Sequence, residues 1–283
     1  MTTTTAATAV GTPADAELKA RHRAMWGLGN YPAVAEEVIP ALGAELVAES
    51  GAGPGRDVLD VAAGSGNVAV PAALTGARVV AADLTPALLA AGAERARRLG
   101  AEVEWVEADA EDLPFADASF DVVTSCVGVM FAPHHQAAAD ELVRVSRPGA
   151  TLALTAWTPE GFIGQMFAAV RPFAPTPPPG AQPPPLWGDE RHVRALLGDR
   201  VEVRIAERRT LAVGRFTGPE DFRDFFATNY GPTVALYRAH AGDAAALAGL
   251  DAALTGLARR FGRDDGAGFT MGWEYLLTVA RRR

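Results

Sequence analysis

The stretch that decides the fold is residues 58–69, which read VLDVAAGSGNVA. An apolar run leads into a turn bracketed by two glycines, and a helical pattern begins directly after it. Gly64 and Gly66 permit a positive φ and a close approach of the backbone to a ligand. The start of the next helix leaves N–H groups unpaired, which favours an anionic group there. The pattern predicts a site for a nucleotide-like ligand, and the spacing Gly64-x-Gly66-x-x-Ala69 also fits a dinucleotide-binding turn.

Strand and helix patterns alternate along the first half of the chain. Strands are predicted over 57–62, 78–82, 102–107, 121–125 and 151–156, with helices over 67–75, 85–100 and 136–147. This alternation predicts a parallel sheet with helices on both faces. Beyond residue 157, the sequence predicts an extended proline-rich segment over 172–185, strands over 201–205 and 273–280, and a largely helical stretch over 216–260.

The chain divides into four predicted segments. Residues 1–15 are expected to be a flexible tail, since threonine and alanine dominate their beginning, and residues 16–50 an N-terminal helical cap. Residues 51–160 carry the alternating pattern and form the predicted ligand-binding core. Residues 161–283 supply the remainder of the sheet together with a helical lid insertion at about 216–260.

Composition and charge restrict the classes of partner. The 283 residues are 49% hydrophobic, enough for a full α/β core, and the net charge of -8 argues against a nucleic-acid partner. Cys126 is the only cysteine, so an intrachain disulfide or a thiolate-cluster metal site cannot form, and no metal is predicted. The sequence shows neither a secretory signal nor a membrane-spanning run. We therefore expect a cytoplasmic protein with a small-molecule partner.

Carboxylates follow three of the predicted strands at the points where these strands end. Asp60 lies just before the glycine turn, Asp83 closes the second strand, and Asp109 follows the third. Ligands of open parallel sheets bind beyond the carboxyl ends of the strands, where the strand order reverses. A carboxylate after the second strand can accept hydrogen bonds from ribose hydroxyls, and one after the third can reach an adenine amino group. Together these positions predict a nucleoside site.

Several segments resemble the class I S-adenosylmethionine (SAM)-dependent methyltransferases. The resemblance covers roughly residues 56–157 and rests on DVAAGSG at 60–66, ADL at 82–84, EADAEDLPF at 107–115, SFDVV at 119–123 and ELVRVSRPG at 141–149. It is close to the small-molecule branch that includes quinone-ring methyltransferases. It implies a doubly wound, Rossmann-like α/β fold with seven strands, the last one antiparallel, plus a helical cap from the N-terminus and a C-terminal insertion.

The resemblance also implies which residues bind SAM, the expected cofactor. The implied set is Tyr31, Asp60, Ala62, Gly64, Gly66, Asp83, Leu84, Asp109, Ala110 and Cys126. Within it, Asp83 would hold the ribose hydroxyls, Leu84 would pack on adenine, and Asp109 would read the adenine edge. Cys126 would offer its backbone carbonyl to the SAM ammonium, and Tyr31 would close over the methionine end.

The implied reaction is an in-line displacement at a sulfonium carbon. The protein mainly has to align the donor with the acceptor and to exclude water. A base assists when the acceptor carries a proton that must leave. His134 and His135 follow the fourth strand, and one of them is the predicted base. The predicted acceptor is small and fairly apolar, and the residues expected to contact it are Trp26, Met130 and Tyr230.

Two other functions fit parts of the pattern. An NAD(P)-dependent oxidoreductase could use the same glycine turn, but a Tyr-x-x-x-Lys pair is absent because Lys19 is the only lysine. That alternative also leaves Asp109 unexplained. A protein that binds SAM without catalysis fits the same residues. The pattern leaves open the acceptor, its reacting atom, which could be oxygen, nitrogen or carbon, and the oligomeric state.

Overall fold

The computed structural model describes residues 11–264, 266 and 268–283; the first ten residues of the predicted tail lie outside this part of the chain. The strands are β1 (Asp57–Val61), β2 (Arg78–Asp83), β3 (Val103–Glu107), β4 (Phe120–Cys126), β5 (Ser146–Trp157), β6 (Val201–Val213), β7 (Gly262–Asp264) and β8 (Phe269–Arg282). The helices are α1 (Pro13–Trp26), α2 (Tyr31–Ala33), α3 (Pro40–Ser50), α4 (Ala69–Leu74), α5 (Pro86–Leu99), α6 (His135–Val145), α7 (Phe162–Val170), α8 (Glu190–Leu197), α9 (Pro219–Asn229), α10 (Gly231–Ala239) and α11 (Ala244–Phe261).

The strands form one mixed sheet in the order β3-β2-β1-β4-β5-β8-β6, with the short β7 paired to β8. β1 is parallel to both β2 and β4, and the parallel pairing continues from β2 to β3 and from β4 to β5. β8 is antiparallel to β5 and to β6. The doubly wound sheet with an antiparallel last strand is confirmed, and β7 adds a three-residue strand to the predicted seven.

The strand order reverses between β1 and β4, at the centre of the sheet. Val58, Leu59 and Val61 of β1 are fully buried, as expected for a strand covered on both faces. In a sheet of this topology, ligands bind in the crevice outside the carboxyl ends of the strands at the reversal. The glycine turn of residues 62–66 follows β1 into that crevice.

Three strands are much longer than the sequence predicted, and the first of them, β5, begins at Ser146 instead of residue 151. β6 continues to Val213 instead of ending at residue 205, and β8 covers 269–282 instead of 273–280. β6 lies at the edge of the sheet, where Arg208 and Arg209 extend to carboxylates on neighbouring segments. An edge strand accommodates charged side chains that interrupt an apolar run. The predicted strand was too short because it was ended where the continuous apolar run stops.

The N-terminal segment packs against the insertion formed by α9, α10 and α11. α1 contacts α10 directly, and the N–H of Asn30 donates to the carbonyl of Asn229 at 3.0 Å. Gly231 permits the close approach, because a Cβ at this position would lie 2.4 Å from the carbonyl oxygen of Met25. The two predicted cap segments thus share one interface.

α1 begins earlier than the predicted boundary of the tail. Thr12 is its N-cap, with Oγ1 accepting the N–H of Asp15 at 3.2 Å, and Pro13 is its first residue. Residues 13–15 therefore belong to the helix and not to the preceding tail. Across the described ranges, every helix is too short or too polar to cross a bilayer.

Candidate active site

The turn after β1 is shaped by positive φ angles and by a carboxylate from β2. Ala62 and Gly64 have φ values of 53° and 56°. The N–H of Gly64 donates to Oδ2 of Asp83 at 2.8 Å. A Cβ placed on Gly64 would lie 3.5 Å from Cε1 of Tyr31, so the Tyr31 ring covers this point of the turn.

Asp60 supports the turn from inside the fold. Its Oδ2 accepts the N–H of Ala69, the first residue of α4, at 3.0 Å, and its Oδ1 accepts the hydroxyl of Thr124 at 3.1 Å. Burial raises the pKa of Asp60 to about 7, against the effect of these two hydrogen bonds. The carboxylate joins β1, α4 and β4, and its role in the structure is to hold the loop.

A cavity of about 870 Å³ opens at the carboxyl ends of β1, β2 and β4. Eight of the residues that were expected to bind SAM line it: Tyr31, Ala62, Gly64, Asp83, Leu84, Asp109, Ala110 and Cys126. Trp26, expected to contact the acceptor, lines the same cavity. Leu84, Leu88 and Leu113 add an apolar wall to the carboxylates of Asp83 and Asp109. Apolar surface beside carboxylates suits a nucleoside, whose base is flat and whose ribose donates hydrogen bonds.

Asp83 keeps its capacity to bind a ribose although it is only 8% exposed. Its Oδ2 accepts the N–H of Gly64, and its Oδ1 accepts the N–H of Thr85 at 2.8 Å. Burial raises the pKa of Asp83 against these hydrogen bonds. Each carboxylate oxygen has a second lone pair. The Thr85 side chain also bonds this carboxylate, which still leaves it room to accept a ribose hydroxyl.

Lys19 borders the same cavity and was not assigned to the site from the sequence. Its Nζ lies 2.5 Å from Oδ2 of Asp109, 2.9 Å from Oδ2 of Asp15 and 2.9 Å from Oε2 of Glu111. Burial alone would lower the pKa of Lys19, but the three carboxylates outweigh burial and raise it. This group of four residues, the Lys19 cluster, ties α1 to the segment that follows β3.

Asp15, Glu111 and His134 lie close enough for their ligand atoms to share a metal ion. The ammonium of Lys19 already contacts both carboxylates at 2.9 Å. The ammonium of Lys19 therefore supplies a positive charge at the carboxylates that a metal ion would share.

The two predicted bases lie elsewhere, and neither histidine is among the described residues that line a cavity. His134 Nε2 is 3.2 Å from Oδ1 of Asp15, and the His134 N–H donates to Oε1 of Glu111 at 2.7 Å. His135 is fully buried, with Nδ1 2.9 Å from Nε2 of His192 on α8. Burial lowers the pKa of His135 to about 3. The His134 side chain joins the Lys19 cluster and that of His135 packs against α8, so the structure does not bring the two predicted bases to either cavity.

Gly66 and Met130 are not among the described residues that line the two cavities. A Cβ on Gly66 would lie 2.7 Å from Cη2 of Trp105, and the residue has a φ of 80°. Packing against Trp105 therefore requires glycine at position 66. Met130 is fully buried in the core. Sequence spacing places both near the site but does not show which way they face.

A second, smaller cavity shares part of its wall with the first. Tyr31, Val127 and Phe131 line both cavities. The rest of its wall consists of Val34, Ile39, Trp157, Ile163, Phe226, Tyr230 and Trp273. Tyr230 was expected at an acceptor site. Trp157 and Trp273 were missed because their strand patterns are those of ordinary core residues.

Tyr31 lies where the two cavities meet. Its ring centroid is 5.6 Å from that of Trp26 and 6.5 Å from that of Tyr230, and Trp26 also contacts Phe131 at 4.7 Å. Burial raises the pKa of both tyrosines, so their hydroxyls stay protonated at neutral pH. Burial also raises the pKa of the Cys126 thiol to about 12, which makes this thiol a wall group and not a nucleophile.

Comparison with known proteins agrees with this geometry. Residues 59–154 match a family model described as a methyltransferase domain. The chain is 51% identical over 277 residues to the uncharacterized protein Rv1405c of Mycobacterium tuberculosis (strain ATCC 25618 / H37Rv), which covers 97% of this chain and 99% of that protein.

A partial relative and a solved structure extend the comparison. The chain is 44% identical over 110 residues to the demethylmenaquinone methyltransferase of Mycobacterium sp. (strain JLS), covering 39% of this chain and 45% of that enzyme. The crystal structure of BH2331, a proposed methyltransferase from Bacillus halodurans C-125, has the same fold, with a TM-score of 0.55 and 22% identity over 84% of this chain and 97% of that chain. The chain therefore belongs to one family with the mycobacterial protein Rv1405c, and its residues 59–154 are the methyltransferase domain of a class I SAM-dependent methyltransferase.

Proposed function

We propose that this enzyme transfers a methyl group from SAM to a small, largely apolar molecule that binds in the second cavity. The observation that carries the proposal is the junction of the two cavities at Tyr31, Val127 and Phe131. The first cavity has the carboxylates and the apolar wall that a nucleoside needs. The second has a mainly aromatic and aliphatic wall, which suits an apolar acceptor.

The residues of the site act by binding, positioning and excluding water. When bound, SAM supplies an activated methyl group on a positively charged sulfur. Asp83 accepts the ribose hydroxyls and Asp109 faces the adenine, while the turn at Gly64 lets the backbone approach the methionine portion. Trp26 packs against both Tyr31 and Phe131 beside the junction. Such fixed positioning of two reactants can account for about 7–11 kcal/mol of barrier lowering.

The charge and cysteine content support a small-molecule acceptor in a reducing compartment. A net charge of -8 opposes binding to a polyanion, so we propose that nucleic acid is not the acceptor. The single cysteine, Cys126, is buried in the cavity wall and fits a protein of the cytoplasm.

Calorimetry with SAM, S-adenosylhomocysteine and NADH tests the cofactor half of the proposal. We expect saturable binding of the first two and none of NADH. Transfer of a radiolabelled methyl group from SAM into a panel of apolar acceptors tests the other half. Cofactor binding without transfer to any acceptor would favour a non-catalytic SAM-binding protein, and binding of NADH alone would favour an oxidoreductase.

A substitution that fills only the second cavity separates the two halves. Ile163 lines that cavity and is 4% exposed. We expect Ile163→Phe to reduce methyl transfer and to leave S-adenosylhomocysteine affinity unchanged. The unchanged affinity also verifies that the variant is folded. Unchanged transfer in a variant that still binds the cofactor analogue would contradict the location of the acceptor.

A further inference from the structure

The wall of the second cavity restricts the class of acceptor, an inference that rests on the proposed function. Among the described residues that form this wall, none carries a charge. The polar side-chain groups are the hydroxyls of Tyr31 and Tyr230 and the indole N–H groups of Trp157 and Trp273. An indole N–H can only donate a hydrogen bond, and a protonated tyrosine hydroxyl is also a donor. The cavity therefore offers donors and no carboxylate.

Trp273 is the best defined of these donors. Its side chain is 1% exposed, and its Nε1 has no hydrogen-bond partner in the part of the chain that the structure describes. The indole stacks on Phe162 with centroids 5.0 Å apart at 6°, and it meets Phe226 at 5.9 Å. These contacts fix the direction of the N–H. Buried donors in proteins almost always have a partner, and an oxygen atom of a bound acceptor would be that partner here.

The charged groups of the first cavity are engaged at the nucleoside end. The ammonium of Lys19 pairs with Asp109, and the carboxylate of Asp83 holds two backbone N–H groups. His22 lies about one helical turn after Lys19 and lines the same cavity. Burial lowers the pKa of His22. Lys19, Asp109 and Asp83 are therefore already paired within the first cavity, and none of these charged groups lines the second cavity.

The titratable groups at the junction cannot accept a proton at neutral pH. They are Tyr31, Tyr230 and Cys126. Burial raises the pKa of each above its usual value, so all three are already protonated. On the described wall of the second cavity, an acceptor that needs a base to remove its proton finds none.

An acceptor can react without a base if its nucleophilic atom already has a free lone pair. A neutral amine meets this condition, but its methylated product is a cation. Burying that cation against a wall without a carboxylate costs free energy. An oxyanion also meets the condition. Its negative charge is cancelled by the positive sulfonium during the reaction, and an apolar wall favours a step in which opposite charges disappear.

We propose that the acceptor is a compact aromatic or enolic molecule with an acidic hydroxyl group, which binds as its oxyanion beside the indole N–H of Trp273 and is methylated on oxygen. The acceptor releases its proton to solvent before it binds. An oxygen lone pair then forms the bond to the methyl carbon as the carbon–sulfur bond breaks. The sulfur keeps that electron pair and becomes a neutral thioether.

The first test uses a series of phenols of graded acidity, from para-nitrophenol to phenol, with the full-length enzyme and SAM. We expect the pH of half-maximal kcat/KM to move with the pKa of each phenol, and the product to be the methyl ether. With S-adenosylhomocysteine in place of SAM, bound para-nitrophenol should show the absorbance of the phenolate. A half-maximal pH that stays constant across the series, or transfer to amines only, would overturn the proposal.

The second test compares two buried tryptophans. Trp187 is also 1% exposed with an unpaired Nε1, but it lies outside both described cavities, so Trp187→Phe is the matched control for Trp273→Phe. We expect Trp273→Phe to lower para-nitrophenol affinity and kcat/KM by at least about tenfold, a typical effect of a lost hydrogen bond to a charged group. Trp187→Phe should match the parent enzyme. Equal phenol binding in the two variants would refute the role of Trp273.

The cofactor measurement separates failure of this inference from failure of the proposed function. If both tryptophan variants and the parent bind S-adenosylhomocysteine equally while phenols are not methylated, only the oxyanion acceptor is wrong. If the parent enzyme binds neither SAM nor S-adenosylhomocysteine, the proposed function itself is wrong.

Discussion

Replacing Lys19 with methionine tests the link between the N-terminal helix and the cofactor cavity. Methionine keeps an unbranched apolar side chain of similar length and removes only the charge and its hydrogen bonds. The variant leaves the carboxylates of Asp15, Asp109 and Glu111 without the ammonium that contacts all three. We expect loss of stability together with weaker cofactor binding.

The burial of the Lys19 cluster sets the size of the effect. The side chains of Lys19, Asp15 and Glu111 are 12%, 2% and 0% exposed. Removing one partner of a buried ion pair costs about 3–5 kcal/mol. The remaining contacts from His134 to Asp15 and Glu111 relieve part of this cost, so we expect about 3 kcal/mol. For a chain of this size, that corresponds to a Tm lower by about 6–12 °C.

Thermal unfolding and calorimetry measure the two effects. Arg21→Met is the matched control. Arg21 is on the same helix, but its side chain is 64% exposed and its ion pair, from Nη1 to Oε1 of Glu17, is long at 3.8 Å. We expect that control to change Tm by about 1–2 °C at most, as for a surface pair. S-adenosylhomocysteine affinity should fall about tenfold in Lys19→Met, because Asp109 loses the group that orients it. Equal Tm and equal affinity in the two variants would refute the reasoning.

Three further predictions concern the turn and its carboxylates. Asp83→Ala should weaken S-adenosylhomocysteine binding by at least about tenfold in calorimetry while the circular dichroism spectrum stays that of the parent; unchanged affinity would place the ribose elsewhere. Burial raises the pKa of Asp60 from 3.8 to about 7, so the folded state holds this proton more tightly than the unfolded state, and stability should fall as pH rises through that interval. In Asp60→Asn, Tm measured against pH should lose this decline, and an identical pH profile would contradict the assignment. Gly66→Ala, whose Cβ meets Trp105 at 2.7 Å, should lower the free energy of unfolding by about 3 kcal/mol in urea titrations, against about 1 kcal/mol for Gly100→Ala, where nothing lies within 4 Å.

The cofactor half of the site could be predicted because its residues follow strand ends. Asp83 and Asp109 come directly after β2 and β3, and the glycine turn follows β1. Parallel strands bring their carboxyl ends to one edge, so short sequence distances from each strand fix a common location. The resemblance to class I methyltransferases gave the positions of Leu84 and Ala110, which line the same cavity.

The acceptor half could not be predicted because its residues come from distant elements. Trp273 lies on β8, which joins β5 from the far end of the chain, and Lys19 reaches the cavity from α1. Nothing in the local pattern of either residue differs from a core tryptophan or a surface lysine. His134 and His135 show the limit of such local reasoning. Their position after β4 was right, but side-chain direction at the start of α6 depends on α1 and α8, which the local sequence does not contain.

A crystal structure of the enzyme with S-adenosylhomocysteine is the most direct measurement of the central claim, which is that the two cavities meet at the reacting sulfur. The account predicts the ribose on Asp83, the adenine beside Asp109, and the sulfur against Tyr31 and open to the cavity that Trp273 lines. Electron density for the ligand in another location, or a sulfur atom separated from Tyr31 and facing away from the second cavity, would contradict it.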